Sequence, residues 1–160
     1  MCMSSDCEMP LSNTSSDEIS AILSTAKVIA VVGLSATEER DSHRVAKFLI
    51  ARGYTVYGAN PAQSEVLGRP CFPDLKSVPE PIDIVDIFRK PEAIPAIVDQ
   101  AIALGAACVW MQQGLAHNAA AEKARAAGLA VVMNKCLKIE IERRALPSPY
   151  APAASSRRQR

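Results

Sequence analysis

The sequence predicts a single doubly wound α/β domain built on a five-stranded parallel sheet, and three observations carry that expectation. From Val28 onward, short apolar segments alternate with amphipathic ones, the pattern of a parallel sheet covered by helices on both faces. Gly53, Gly105 and Gly128 each stand just beyond an amphipathic segment, where a helix closes on a left-handed residue. The 160 residues, 49% of them apolar, match one domain with an ordinary core.

Taken in order, the first dozen residues and the stretch after about residue 145 are rich in Ser, Pro, Ala and Arg without an apolar period. Segments 1–14 and 145–160 are therefore expected to be disordered tails, the second basic, around a domain at 15–144. A lead-in helix opens near Ser15 or Ser16, with Glu18 as the capping-box partner of Ser15 and Ile19, Ile22 and Leu23 on one face. Strands start near Val28, Tyr54, Ile82, Ala107 and Ala130. Between them helices are expected over 42–52, with Val45, Phe48 and Leu49 inward, over about 93–104, and over 118–127. Pro95 fits the middle helix if it falls in the first turn. Residues 63–81, with Gly68, Pro70, Pro73 and Pro79, show no helical period and are read as an irregular crossover. The expected strand order is 3-2-1-4-5, with a ligand crevice beside the first strand.

Charge and cysteine content narrow the function. Net charge is +1, and Arg157, Arg158 and Arg160 lie in a tail without acidic residues, so the remainder lacks the basic footprint of a nucleic-acid surface. No apolar run approaches the roughly 18 residues of a membrane span, and residues 1–13 lack the features of a secretory signal. Cys2, Cys7, Cys71, Cys108 and Cys136 contain no CxxC pair, and with only His43 and His117 beside them no zinc spacing arises. Reduced thiols and a cytoplasmic location are the expectation.

The chemistry centres on the turn after the first strand, Val31-Val32-Gly33-Leu34-Ser35, which leads to a helix start at Ser42. A strand ending in glycine before a helix N-terminus gathers backbone N–H groups and a positive dipole end, which suits a phosphate. The dinucleotide fingerprint needs three glycines, but Ser35 and Glu38 occupy the second and third positions, and the second strand ends in Asn60-Pro61 where a ribose-binding acid would stand. The P-loop is excluded too, because no Lys-Ser or Lys-Thr pair follows the glycine. Arg40 and Arg44 flank the helix start.

Several further motifs fall in a fixed order: Arg40 and Ser42 with Val45-Ala46, Gly53-Tyr54, Asn60-Pro61, Leu67-Gly68, and Asp83-Ile84-Val85-Asp86 with Phe88-Arg89. Trp110 with Gln112 and Gly114, and Cys136 with Glu140, complete the series. Over about residues 18–143 this order resembles the small bacterial stand-alone CoA-binding proteins, which are similar to the CoA-binding domain of succinyl-CoA synthetase alpha subunits, a Rossmann-type fold. The resemblance implies that Gly33, Leu34 and Ser35, with the Ser42 helix start, hold the CoA pyrophosphate, and that Arg40 adds charge. It implies that Asn60-Pro61 lies along the adenosine and that Phe88-Arg89 walls the nucleotide from the other side. Relatives often carry Pro and Tyr where this chain has Asp41 and His43, and a lysine where it has Ala62-Gln63.

Arg89 has two readings, a salt bridge to Asp86 or Glu92, or a ligand contact with Lys90 beside it, for which guanidinium geometry suits phosphate. Trp110 is read as core, and Gln112 and Gly114 as facing the crevice. His43 and His117 are read as solvated or helix-capping. Cys136, beside Lys135 before a short helix, is either a reactive thiolate or a small residue packing the turn. Cys71 and Cys108 are read as structural.

The expectation is a Rossmann-like domain that binds coenzyme A or an acyl-CoA non-covalently, with no nucleophile-and-base pair and no metal cluster in view. Alternatives are an NAD(P)-binding oxidoreductase, a CoA-binding component of an acyl-CoA synthetase acting with a partner subunit, and a regulatory domain whose crevice has lost its ligand. A protein partner and a homo-oligomer both stay open.

Overall fold

The computed structural model describes residues 8–146 together with Ser148 and Pro149. The lead-in helix α1 spans Ser16–Thr25, with Ser15 accepting from the Glu18 N–H and the Glu18 carboxylate accepting from the Ser15 N–H. Ile19 and Leu23 bury its inner face. Strand β1 follows at Val28–Val32, then helix α2 at Asp41–Ala51 and strand β2 at Thr55–Ala59. Strands β3 (Glu65–Val66) and β4 (Arg69–Phe72) come next, then β5 at Ile84–Ile87 and α3 at Ile94–Leu104. The chain ends with β6 (Cys108–Met111), α4 (Asn118–Ala126), β7 (Ala130–Val132) and α5 (Leu137–Arg144).

These strands form one sheet in the order β3-β4-β2-β1-β5-β6-β7, parallel throughout except for the β3–β4 hairpin. Seven strands therefore replace the expected five. The segment read as an irregular crossover contains a hairpin whose two turn residues, Leu67 and Gly68, have φ of 56° and 74°, the geometry of a type I′ turn. Its second strand, β4, pairs with β2 through Gly58↔Cys71 and Ala59↔Phe72.

That added strand corrects the topology. The strand expected third, near Ile82, does not lie outside β2; it is β5 and pairs with β1 on the opposite side. Counting parallel strands, β4 takes the third place, and the order becomes 3-2-1-4-5-6, that of a doubly wound sheet whose winding reverses at β1.

Alternation along the strands divides the core. Ala30, Val32, Val85, Ile87, Val109 and Met111 face α3 and α4, while Ile29, Val31, Ile84, Cys108, Trp110 and Val132 face α1, α2 and α5. Gly58 is required where β2 meets β4: a Cβ there would stand 2.4 Å from the Cys71 sulfur and 3.0 Å from Leu34 Cδ2. Gly53, Gly105 and Gly128 all have positive φ at helix ends, and Pro95 lies in the first turn of α3.

Residues 1–7, 147 and 150–160 of the expected tails lie outside the described residues. Within the N-terminal segment, Asn13 bonds both the N–H and the carbonyl of Met133 at 3.0 and 2.8 Å, and Thr14 donates to the Val131 carbonyl. Glu8 and Leu11 bond Asn118 at the start of α4. This stretch runs along the outer edge of β7.

Candidate functional site

Sheet register sets the site. Val32 is level with Ala59 and Ile87, and Ile87 with Met111. The next residue of each strand, Gly33, Asn60, Phe88 and Gln112, therefore emerges along one carboxyl edge. Open α/β sheets bind ligands at that edge, where the winding reverses.

The loop from Gly33 to the start of α2 is held from several sides. Gly33 donates to the Ala59 carbonyl at 2.9 Å. Asn60 Nδ2 donates to the Leu34 carbonyl at 2.8 Å, and Asn60 Oδ1 accepts from the Ala62 N–H at 2.9 Å. The Ser35 N–H donates to Ser42 Oγ at 3.0 Å, and His43 Nδ1 lies 2.9 Å from the Ser35 carbonyl. His43 is thus a buried loop brace, not the solvated or capping residue expected. His117 does cap, accepting from Ala120 at the start of α4.

Gly33 has φ of +88°, and a Cβ there would stand 2.8 Å from Arg89 Cδ and 3.2 Å from the Phe88 carbonyl oxygen. The Arg89 side chain lies across the glycine.

Two adjoining clefts follow this edge. The first, about 660 Å³, is lined by Gly33, Ser35, Arg40, Ser42, Asn60 and Pro61. The second, about 540 Å³, is lined by Val45, Lys90, Pro91, Gln112, Leu115, Cys136 and Ile139. Asp41, Phe88 and Arg89 line both, so the two form one crevice that is polar at the first end, where Glu39 and Asp41 stand with Arg40 and Arg89, and more apolar at the second, whose rim also carries Arg44, Lys90 and Lys138. Arg40, Arg89 and Lys90 are exposed, and among the described residues none of the three makes an ion pair. Arg44 is instead paired with Asp41.

The expected site residues are brought together with one exception: Leu34 is fully buried and packs toward Gly58, so only its backbone faces the loop. The salt-bridge reading of Arg89 with Asp86 is overturned. Asp86 is buried in mid-sheet, both carboxyl oxygens without a hydrogen-bond partner among the described residues, and burial holds its carboxyl well above the ordinary carboxylate range. Trp110 is core, donating its indole N–H to the Lys135 carbonyl at 2.8 Å.

Gln112 is 5% exposed, and its Oε1 accepts from the Leu137 N–H at 3.1 Å at the start of α5. Cys136 is the half-buried N-cap residue of α5, at the crevice wall. Glu140, in the same helix, is buried. Burial raises its carboxyl, but hydrogen bonds from Arg144 and Arg143 outweigh that and lower it overall. Sequence reading missed the bracing by His43, which depends on the loop fold that returns Ser35 to the start of α2, and the unpartnered state of Asp86, which depends on its burial in the sheet.

Comparison with known proteins agrees with this geometry. Residues 27–142 match the family described as CoA binding domain. The chain is 38% identical over 129 residues to the uncharacterized protein YneT of Bacillus subtilis, covering 81% of this chain and 96% of that one. A solved structure of a hypothetical protein from Pyrococcus horikoshii superposes with a TM-score of 0.80 at 42% identity, over 85% of this chain and 96% of that one. Over 74 residues, 46% of this chain, it is 35% identical to an ADP-forming acetate–CoA ligase of Archaeoglobus fulgidus, a match that spans 11% of that enzyme. A chain with this carboxyl-edge crevice and a family match across most of its length belongs to the CoA-binding domain family.

Proposed function

We propose that the protein binds coenzyme A or an acyl-CoA non-covalently along the carboxyl-edge crevice. The observation that carries this reading is the change in character along one continuous cleft, hinged at Phe88 and Arg89. Coenzyme A has the same division, with a phosphate-rich nucleotide at one end and a long, weakly polar pantetheine arm at the other. In this reading the loop from Gly33 to Ser42 and the guanidinium groups of Arg40 and Arg89, which make no ion pair among the described residues, receive the phosphates. Val45, Phe88, Leu115 and Ile139 flank the arm. Asn60 is committed on both its polar atoms to the loop, which disfavours a nicotinamide dinucleotide, since that ligand wants a free acid at this position. The thiols of Cys71, Cys108 and Cys136 are unpaired and suit a reducing, cytoplasmic compartment.

Calorimetric titration with CoA, acetyl-CoA, NAD and NADP tests the assignment. CoA or acetyl-CoA should bind and the dinucleotides should not; NAD binding as tight as CoA would overturn it. A second reading, a CoA-binding component that works with a partner subunit, is favoured by the partial likeness to the acetate–CoA ligase. Co-purification of a stoichiometric second chain would support it.

A further inference from the structure

The second cleft carries an uncommitted amide donor beside a half-buried thiol. Gln112 is 95% buried, and because the Leu137 backbone N–H can only donate, the side-chain oxygen must face Leu137. The amide nitrogen is thereby turned away from α5 and has no hydrogen-bond partner among the described residues, while the side chain lines the cleft. The nitrogen is not sealed from solvent, so in the cleft it is a donor free to take an acceptor from a bound ligand. A ligand carbonyl in the cleft supplies that acceptor.

The same hydrogen bond ties Gln112 to the residue directly after Cys136, so donor and thiol belong to one wall. Cys136 has half-buried surroundings, makes no capping bond and lines the cleft with Val45, Phe88 and Ile139. Cys71 and Cys108 are buried, and burial first of all pushes both thiols up, Cys108 to about 12. Among the described residues, Cys136 is the cysteine within reach of a crevice ligand.

Resting on the CoA reading above, we propose that Cys136 exchanges with the disulfide of oxidised coenzyme A, Gln112 Nε2 holding the carbonyl of the last pantetheine amide. That amide lies two methylenes from the sulfur, so fixing its carbonyl delivers the sulfur to the wall that bears Cys136. The Cys136 thiol releases its proton to solvent, and its sulfur attacks one sulfur of the CoA disulfide. The reagent S–S bond breaks as the Cys136–CoA bond forms, and the departing CoA thiolate takes up a proton. One disulfide is consumed and one is made, so no other oxidant is needed.

The test uses the full chain, reduced and then freed of reductant, with CoA disulfide or oxidised glutathione, followed by intact-mass and peptide analysis. A single CoA adduct should map to Cys136, form at least about tenfold faster than the glutathione adduct, slow in the presence of acetyl-CoA, and vanish in Cys136→Ser. Gln112→Glu keeps an acceptor for Leu137 but loses the donor, so it should slow the CoA adduct roughly tenfold relative to the glutathione adduct. Equal rates for the two disulfides, an adduct on Cys2 or Cys7 instead, or no adduct would overturn the proposal. Calorimetry with CoA on the same reduced sample separates the failures: binding without an adduct overturns this inference alone, and no binding overturns the CoA reading as well.

Discussion

The side-chain amide of Asn60 donates to the carbonyl of Leu34 at 2.8 Å, tying the end of β2 to the loop that follows β1. Its oxygen meanwhile closes a turn onto Ala62. One side chain therefore shapes two walls of the polar cleft, from the side, without any requirement to touch the ligand.

Asn60→Ala should free the loop and leave the Leu34 carbonyl unpaired, lowering stability by about 1–3 kcal/mol and weakening CoA binding. Asn60→Asp should be worse for the loop, because a carboxylate cannot donate to a carbonyl oxygen. Thermal unfolding and titration of both variants check this. An Asp variant that gained affinity for NAD would show that the crevice is a dinucleotide site blocked by one residue.

Gly33→Ala meets a backbone at φ +88°, the Arg89 Cδ atom 2.8 Å from the new methyl group, and the Phe88 carbonyl oxygen at 3.2 Å. The first costs roughly 1–2 kcal/mol whatever surrounds it. The second is relieved when Arg89 is shortened. A double-mutant cycle with Arg89→Ala should then show a positive coupling, the pair being more stable than the sum of its parts. Simple additivity in thermal unfolding would mean that Arg89 swings clear of the glycine in solution.

Arg40 and Arg89 are exposed and unpaired among the described residues, so Arg40→Ala and Arg89→Ala should leave the melting temperature nearly unchanged. Each should weaken CoA binding by about 1.5–3 kcal/mol, roughly ten- to a hundredfold. Raising the salt concentration should narrow the difference. Wild-type affinity in both variants would move the phosphates elsewhere.

Local chemistry explains which features the sequence made legible. The Ser15–Glu18 capping box and the helix ends at Gly53, Gly105 and Gly128 each depend on a few neighbouring residues, and all are present. Strand β4 is different. Pro70 and Pro73 break any strand-like run, and β4 is held by distant partners, Gly58 and Ala59 of β2. Missing it misplaced the strand near Ile82, since the third place beside β2 was already filled. The crevice survived that error because Gly33, Phe88 and Gln112 emerge at the carboxyl edge in either order. The roles of His43 and Asn60 were hidden for the same reason as β4: each acts on a carbonyl brought near only by the fold.

The N-terminal segment provides a further check on the domain boundary. Asn13 bonds Met133 just past β7 and Thr14 bonds the Val131 carbonyl within it, so the segment covers part of an open sheet edge as another strand would. Deleting residues 1–14 should lower thermal stability, and Asn13→Ala alone should account for about 1–2 kcal/mol of it. An unchanged melting point after the deletion would support the expected boundary at residue 15.

Asp86 and Glu140 should give stability opposite dependences on pH. Burial raises the folded-state value for Asp86, so at low pH both folded and unfolded chains carry its proton. As pH climbs past the ordinary carboxylate value, the unfolded chain ionises while the folded one resists, and stability falls. Glu140 is lowered overall, against the effect of its burial, by its bonds to Arg144 and Arg143. Its contribution is present above the ordinary glutamate value and lost as pH falls through the lowered one. Asp86→Asn removes the first titration at nearly constant shape, so its melting temperature relative to the wild type should improve from pH 4 to pH 8, whatever the constant cost of a buried amide. Glu140→Gln should show the reverse, with its deficit largest near neutrality and shrinking toward pH 3. Parallel curves for Asp86→Asn and the wild type would mean that the Asp86 carboxyl has found a partner, such as an ordered water, that lets it ionise in place.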